Sequence, residues 1–393
     1  MSEYQSNIAR RDFLRLCAAS GAGLVAGFHR HLAKSVACPA VGTPPVGDIV
    51  VGLEIGTSKV CATVGERLPD GIIKILGIGQ VPSRGVTRYG IVDFEAASAC
   101  VREALADTEA KSDVMIRSVV LAVAGTKIAP YHSGPTWERI FEWEKICYGD
   151  RGDGVLRQIN LADCKRARDC QVVAGTGARI ENNIRCVKAL GIDVKRIVFA
   201  PVAAAEAVLS ANQKERGALV IDMGAGTTDY GVYAEGALVQ SDCFAVGGQN
   251  IANDLSLGLC IPLARAEKLA IEEGSVRLDP SLRGERIVIE AEPEFRGRVV
   301  ERELLNTIVH HRVRQAFGLV KCRLVNSGMR LDSLLAGVHL TGGCSLLRGI
   351  DGLAQEVFGV PAHFARVKGI MCEPAGAIEL PQYSCALSLV KFS

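Results

Sequence analysis

The sequence is poor in aromatic side chains and carries almost no net charge. Phe, Trp and Tyr make up 5% of its 393 residues, and 45 Lys and Arg against 43 Asp and Glu leave a formal charge of +2. A near-neutral chain gives no electrostatic reason to expect nucleic acid as its partner. With 48% hydrophobic and 22% charged residues, it is expected to be globular, with an aliphatic core.

The chain also lacks cysteine spacings typical of metal sites. It contains 14 cysteines, but no two are separated by two residues as in a Cys-x-x-Cys motif. A chain of this length does not need disulfide bonds to fold. We therefore interpret the cysteines as small buried hydrophobic residues in a reducing compartment. A zinc site or disulfides are the alternatives.

The N-terminus disagrees with that compartment. Arg10 and Arg11 precede an apolar stretch at residues 14–28 and a possible cleavage site at 35–37, a pattern that resembles a twin-arginine export signal. An upstream extension or a misassigned start codon is the alternative. We exclude residues 1–47 from the predicted fold.

The rest of the chain repeats one order of elements. Strands are predicted at 48–63, with a turn inside, and at 72–81, followed by a helix at 92–109. A second set begins with strands at 218–222 and 229–233. A Rossmann domain would place a helix directly after its first glycine loop, whereas here a strand follows. The strand after the loop therefore excludes a Rossmann domain. The repetition of the same order of elements in the second half predicts an internal duplication.

Two glycine-rich turns occupy equivalent places in these halves, at residues 54–59 and 222–229. Glycine permits a close backbone approach, and successive backbone N–H groups in such a turn bind anions. The acids Glu54 and Asp222 at the starts of the turns can hold hydrated Mg²⁺ against phosphates. One such turn alone would be weak evidence, because glycine–threonine hairpins are common, but the pair favours phosphate binding.

A third glycine turn lies late in the chain. Gly342 and Gly343 follow a predicted strand and precede a predicted helix at 347–358. A Gly-Gly turn at this place lets a base or ribose approach the backbone. An ordinary strand-to-helix turn is the alternative.

These three turns resemble the phosphate-1, phosphate-2 and adenosine motifs of the actin, Hsp70 and sugar-kinase superfamily. The segments 82–86, 90–93, 246–251 and 262–269 are similar to the FtsA family of bacterial cell-division proteins. The resemblance covers residues 48–126 and 171–390.

The resemblance implies an α/β, actin-like, two-lobed ATPase fold built from duplicated ribonuclease-H-like domains with inserted subdomains. Its expected divisions are residues 48–126 and 171–212 for lobe I, 127–170 for a shortened inserted subdomain, and 213–393 for lobe II. ATP and Mg²⁺ would occupy the cleft between the lobes. Slow ATPase activity at most is implied.

The resemblance also implies partners and a location. These are the C-terminal peptide of FtsZ, other divisome proteins and further copies of the same chain. The place would be the cytoplasmic face of the inner membrane at the division site, where the FtsZ ring is linked to the membrane.

The residues that match the family motifs are the expected site. Asp222 would hold Mg²⁺ through water, with Glu54 opposite. The nucleotide-binding residues would be Gly56, Thr57, Ser58, Lys59, Gly224, Gly226, Thr227, Thr228, Gly248, Glu267, Lys268, Gly342 and Gly343. For Glu267 and Lys268, a solvated helix face remains the alternative.

The chain departs from the family pattern in several places. Glu54 stands where many relatives have Asp, and Ala200 stands where relatives often have Glu, so weak hydrolysis is expected. The region 127–170 is short and irregular, which puts polymerisation in doubt. The usual C-terminal amphipathic helix is not evident, and the apolar stretch at 14–28 is the expected substitute anchor.

Other members of the superfamily remain alternatives. A sugar or acid kinase would need a catalytic Asp, and neither Asp93 nor Asp153 lies in a recognisable context. A PilM-like adaptor of type IV pilus assembly would share the fold. An Hsp70 fragment is disfavoured because no substrate-binding β-domain is evident.

Overall fold

The computed structural model describes residues 47–124, 127–129, 155–156, 172–174, 177–372 and 380–392. The candidate export signal, and most of the region 127–170, lie outside the described residues.

The described chain contains eighteen strands. In order they are β1 (Asp48–Ile55), β2 (Lys59–Arg67), β3 (Ile73–Pro82), β4 (Val86–Thr87), β5 (Gly90–Ile91), β6 (Ser118–Val123), β7 (Lys127–Ala129), β8 (Val155–Leu156), β9 (Val172–Ala174), β10 (Asp193–Phe199), β11 (Ala218–Met223), β12 (Thr228–Ala234), β13 (Ala237–Phe244), β14 (Arg286–Ile289), β15 (Arg298–Glu301), β16 (Val338–Thr341), β17 (Ala362–Phe364) and β18 (Ile370–Cys372).

The α-helices pack on the two large sheets. They are α1 (Phe94–Ser112), α2 (Gly177–Lys188), α3 (Ala200–Val208), α4 (Ala211–Arg216), α5 (Gly248–Leu259), α6 (Leu263–Glu273), α7 (Arg302–Asn326), α8 (Ile350–Phe358) and α9 (Ser384–Ser388). Short 3₁₀ turns include Gly343–Leu346 and Pro381–Tyr383.

The two large sheets share one strand order, apart from the additional edge strand β18 in the first. The first sheet runs β18-β3-β2-β1-β6-β10, and the second runs β13-β12-β11-β16-β17. In each, the first three strands of the half form an antiparallel meander, and the following strands pair in parallel. The predicted duplicated α/β architecture is thus confirmed. We refer to the first sheet with α1 and α2 as the first lobe, and to the second sheet with α5 to α8 as the second lobe.

Helix α3 joins the two lobes. Its sequence is rich in alanine, and Ala203, Ala204 and Ala207 are fully buried. They belong to one hydrophobic cluster that also contains Val50 of the first sheet and Val220 of the second. Small side chains let this helix lie close to both sheets, so the lobes share a core beneath the cleft.

The end of the chain returns to the first lobe. Strand β18 pairs in parallel with β3, and helix α9 contacts β1 and α3. The hydroxyl of Thr63 on β2 donates to the carbonyl of Ala386 at 2.8 Å. The predicted division of the chain at residue 213 assigned all later residues to lobe II, and this division stays a prediction. The contacts of β18 and α9 with the first lobe were not predicted.

Several boundaries differ from the sequence-based expectations. Helix α1 begins after Asp93, whose carboxylate accepts from Ala96 N at 3.0 Å, and continues three residues beyond the predicted end. The helix expected at 347–358 begins only at Ile350, because Gly349 adopts a φ of 78°. A 3₁₀ turn at Gly343–Leu346 lies between Gly342 and this helix.

The cysteine interpretation holds only in part. Cys61, Cys100, Cys186, Cys372 and Cys385 are buried and form no disulfide within the described residues, as expected. The interpretation is wrong for Cys260 and Cys322, which are free but exposed.

Within the described ranges, no helix combines the length and the apolar character needed to cross a bilayer.

Candidate functional site

Two tight turns face each other between the lobes. The turn between β1 and β2 is closed by a hydrogen bond from Gly56 N to Lys59 O at 2.9 Å, and the turn between β11 and β12 by one from Gly224 N to Thr227 O at 2.9 Å. The equal geometry follows from the duplicated hairpins. Both turns border the same cavity, as a pair of anion-binding turns would require.

The two turns touch each other at Gly226. A β-carbon there would lie 2.6 Å from Oγ1 of Thr57 and 3.1 Å from the β-carbon of Arg88. Thr57 lies between β1 and β2 of the first lobe, and Arg88 lies between β4 and β5. Only glycine allows this close approach of the lobes.

The third glycine turn lies against the second. Strand β16 pairs in parallel with β11, which sets Thr341 beside Asp222. The next residue, Gly342, has a φ of 83°, and a β-carbon on it would lie 2.4 Å from Oδ1 of Asp222. The position therefore requires glycine for both conformation and space.

The three turns line one cavity of about 420 Å³, a size typical of small-molecule sites. It is lined by every residue expected from the family motifs except Thr228 and Lys268: Glu54, Gly56, Thr57, Ser58, Lys59, Asp222, Gly224, Gly226, Thr227, Gly248, Glu267, Gly342 and Gly343. Their role toward a ligand remains a prediction.

Thr228 and Lys268 lie elsewhere. Thr228 is fully buried at the start of β12, and its hydroxyl donates to the carbonyl of Val246 at 2.7 Å. Lys268 is exposed on α6, with Nζ 3.9 Å from Glu272. Adjacent residues on a helix point about 100° apart, so Glu267 faces the cavity while Lys268 faces solvent. The exposure of Lys268 agrees with the solvated-face alternative, while the role of Glu267 toward a ligand stays a prediction.

Acidic side chains cluster on the phosphate side. Burial raises the pKa of Asp222 to about 8, and the negative charges of Glu54 and Asp229 add to the shift, while Lys59 opposes it. The pKa of Glu54 is also raised, chiefly by burial. Three carboxyls near one lysine are an arrangement that a divalent cation would stabilise. Within the described residues, no three His, Cys, Asp or Glu side chains form a direct metal-binding cluster.

Unpaired polar atoms border the same cavity. Glu54 Oε2, Gln80 Oε1, Ser83 Oγ and Gln382 Oε1 are inaccessible to water and have no hydrogen-bond partner within the described structure. Leaving such atoms unpaired costs about 1–3 kcal/mol each. The residues present therefore fit a polar ligand that carries hydrogen-bond donors or water-bound metal.

Sequence reasoning missed part of this lining. Gln80, Ser83, Arg179 and Gln382 all border the cavity. Ser83 lies within a segment that resembles the family, and this could have suggested it. Nothing in the local pattern marks the other three, because they reach the cavity through the folding of distant segments.

The comparisons with known sequences point to one family. The family model described as cell division protein FtsA matches residues 219–388. The cell division protein FtsA of Neisseria meningitidis is 30% identical over 369 residues, which are 86% of this chain and 88% of that protein. The FtsA of Escherichia coli is 27% identical over 378 residues, which are 88% of this chain and 90% of that protein.

Solved structures share the fold at lower identity. The PilM-PilN type IV pilus biogenesis complex matches with a TM-score of 0.64 and 15% identity, over 88% of this chain and 98% of that one. The ethanolamine utilization protein EutJ of Carboxydothermus hydrogenoformans gives 0.56 and 18%, over 92% and 94%. MreB5 of Spiroplasma citri bound to ADP gives 0.53 and 18%, over 89% and 96%. These likenesses establish the actin-like ATPase fold.

Proposed function

This chain belongs to the FtsA family of cell-division proteins, and from that membership we propose that it binds ATP with Mg²⁺ in the cavity between its lobes. The single observation that carries the proposal is the meeting of two equivalent phosphate-type turns at Gly226 and Thr57. A solved MreB5 with bound ADP has the same fold.

Each part of the nucleotide has candidate contacts. Backbone N–H groups of the two turns would hold the phosphates, while Asp222 and Glu54 would hold Mg²⁺ through water. Gly248, Glu267, Gly342 and Gly343 would border the adenosine. When bound, Mg²⁺ would neutralise phosphate charge, and it would also relieve the mutual repulsion of the carboxyls.

We extend the proposal to the cell-division role. The chain would bind the C-terminal peptide of FtsZ, recruit other divisome proteins and connect the FtsZ ring to the cytoplasmic face of the membrane. The apolar stretch at 14–28, which lies outside the described residues, is the proposed membrane contact. Fractionation of cells that express the full chain or a form without residues 1–40 tests this contact, and equal solubility of the two forms would refute it.

Two measurements test the central proposal. Calorimetric titration with Mg-ATP should give saturable binding that Asp222→Asn weakens. A pull-down with the FtsZ C-terminal peptide should retain the chain, while a scrambled peptide of equal composition should not. Absence of ATP binding would refute the nucleotide role, and equal retention by both peptides would refute the FtsZ role.

A further inference from the structure

We propose that Arg179 is the specificity-determining residue that distinguishes a nucleoside triphosphate from a diphosphate in this cavity. The inference rests on the proposed nucleotide binding and names a residue that no family motif includes. Its guanidinium would bind oxygens of the terminal phosphate.

The position of Arg179 supports a contact on the phosphate side. It lies in the first turn of α2, borders the cavity and donates from Nη1 to the carbonyl of Arg88 at 3.1 Å. The β-carbon of Arg88 in turn lies 3.1 Å from where a β-carbon of Gly226 would be. Arg179 is therefore held beside the second phosphate-type turn, and it approaches from the first lobe.

Arg179 adds positive charge to a cavity wall that is rich in carboxyls. The charge of Asp229 acts on both Glu54 and Asp222, and the charge of Glu54 acts on Asp222. Lys59, which partly offsets these charges, is already engaged, because its Nζ donates to the carbonyl of Gln382 and lies 4.8 Å from the centre of the Tyr383 ring.

Arg179 retains donors for a ligand. A guanidinium has five N–H donors in a planar fork that matches phosphate oxygens. In the described part of the chain, its guanidinium donates through Nη1 to the carbonyl of Arg88, and it forms no salt bridge with a carboxylate there. A half-buried arginine with unused donors at a cavity wall is suited to an anionic group.

Arg88 provides a way to separate this role from lobe packing. Its side chain donates from Nη1 to Ala245 O and Asn250 Oδ1, both at 3.3 Å, and thereby links the first lobe to the start of α5. The substitution Arg88→Ala removes this link but keeps the backbone carbonyl that holds Arg179. It should therefore weaken binding of tri- and diphosphate alike.

The experiment is calorimetric titration of the full chain with Mg-ATP and with Mg-ADP. Arg179→Ala should lower the affinity for ATP about ten- to hundredfold, as expected for a lost charge-assisted hydrogen bond, and leave the affinity for ADP within about twofold. Arg179→Lys should restore part of the difference, since it keeps the charge but loses the fork. Arg185→Ala, on the same helix with its guanidinium 4.6 Å from the Phe94 ring, should change neither affinity.

The outcomes are distinct. An equal loss for both nucleotides in Arg179→Ala, or no loss, would overturn the inference and leave the proposed function intact. Wild-type protein that binds neither nucleotide would overturn both. If Arg179→Ala unfolds, Arg179→Gln keeps the length of the side chain without its charge, and an unchanged ratio of the two affinities in that variant would also overturn the inference.

Discussion

A β-carbon on Gly342 would lie 2.4 Å from the carboxylate oxygen Oδ1 of Asp222 and 2.6 Å from the carbonyl oxygen of Met223. The turn expected to border adenosine is thus packed directly on the turn expected to face phosphate. A displacement of one turn must move the other. The phosphates and the adenosine of the proposed ligand would therefore contact two turns that move together.

The first prediction concerns this contact. Gly342→Ala should destabilise the fold by about 3 kcal/mol, since it combines a strained positive φ with a backbone clash. It should also weaken binding of Mg-ATP, because Asp222 must shift. Urea unfolding and calorimetry measure the two effects.

Gly359→Ala is the matched control for this substitution. Gly359 has a similar φ of 74°, but no atom lies within 4 Å of the place that a β-carbon on it would occupy. The control should cost about 1 kcal/mol and leave nucleotide affinity unchanged. Equal destabilisation by both substitutions would show that the clash with Asp222 contributes nothing.

The second prediction concerns the contact between the lobes. Gly226→Ala should weaken Mg-ATP binding and destabilise the fold by about 1–3 kcal/mol, because the added carbon would overlap Oγ1 of Thr57. Thr57→Ala should relieve part of this cost, so a double-mutant cycle should show coupling. At Gly224 the nearest atom is 3.5 Å away, and Gly224→Ala should show no coupling with Thr57→Ala. Additive effects of Gly226→Ala and Thr57→Ala would contradict the predicted contact.

Local patterns predicted the hairpins and their glycine turns, because alternation of strands and turns is encoded within a few residues. They could not predict which face of β12 buries Thr228, or that Lys268 points away from Glu267. Both depend on how the second lobe packs. Arg179 and Gln382 were missed for the same reason, since chain segments far apart in sequence bring them to the cavity.

The third prediction is a pH dependence of stability without Mg²⁺ or nucleotide. The pKa of Asp222 is raised from 3.8 to about 8 in the folded chain, chiefly by burial. Between these values the folded state binds a proton that the unfolded state does not, so the free energy of unfolding should fall as pH rises through this window. Urea unfolding at pH 6 and pH 8 measures the change.

Asp222→Asn isolates the contribution of this carboxyl. The variant should lose the part of the pH dependence that comes from Asp222, while the raised pKa of Glu54 leaves a slope of the same sign. In the wild type, Mg²⁺ affinity should rise with pH over the same window, since binding requires the deprotonated carboxyl. An identical pH slope for wild type and Asp222→Asn would refute the assignment.

The last prediction concerns turnover at Ala200. This residue begins α3 and borders the cavity, yet its methyl group can neither orient nor deprotonate water. Wild-type phosphate release should therefore stay below about 1 per second. Ala200→Glu should raise it about tenfold, because a carboxylate at a cavity wall can act as a general base and is favoured at a helix N-terminus. Ala200→Gln has nearly the same size without the basic group and should leave the rate unchanged. A fast wild-type rate, or equal rates for the two variants, would show that the missing acid does not limit hydrolysis.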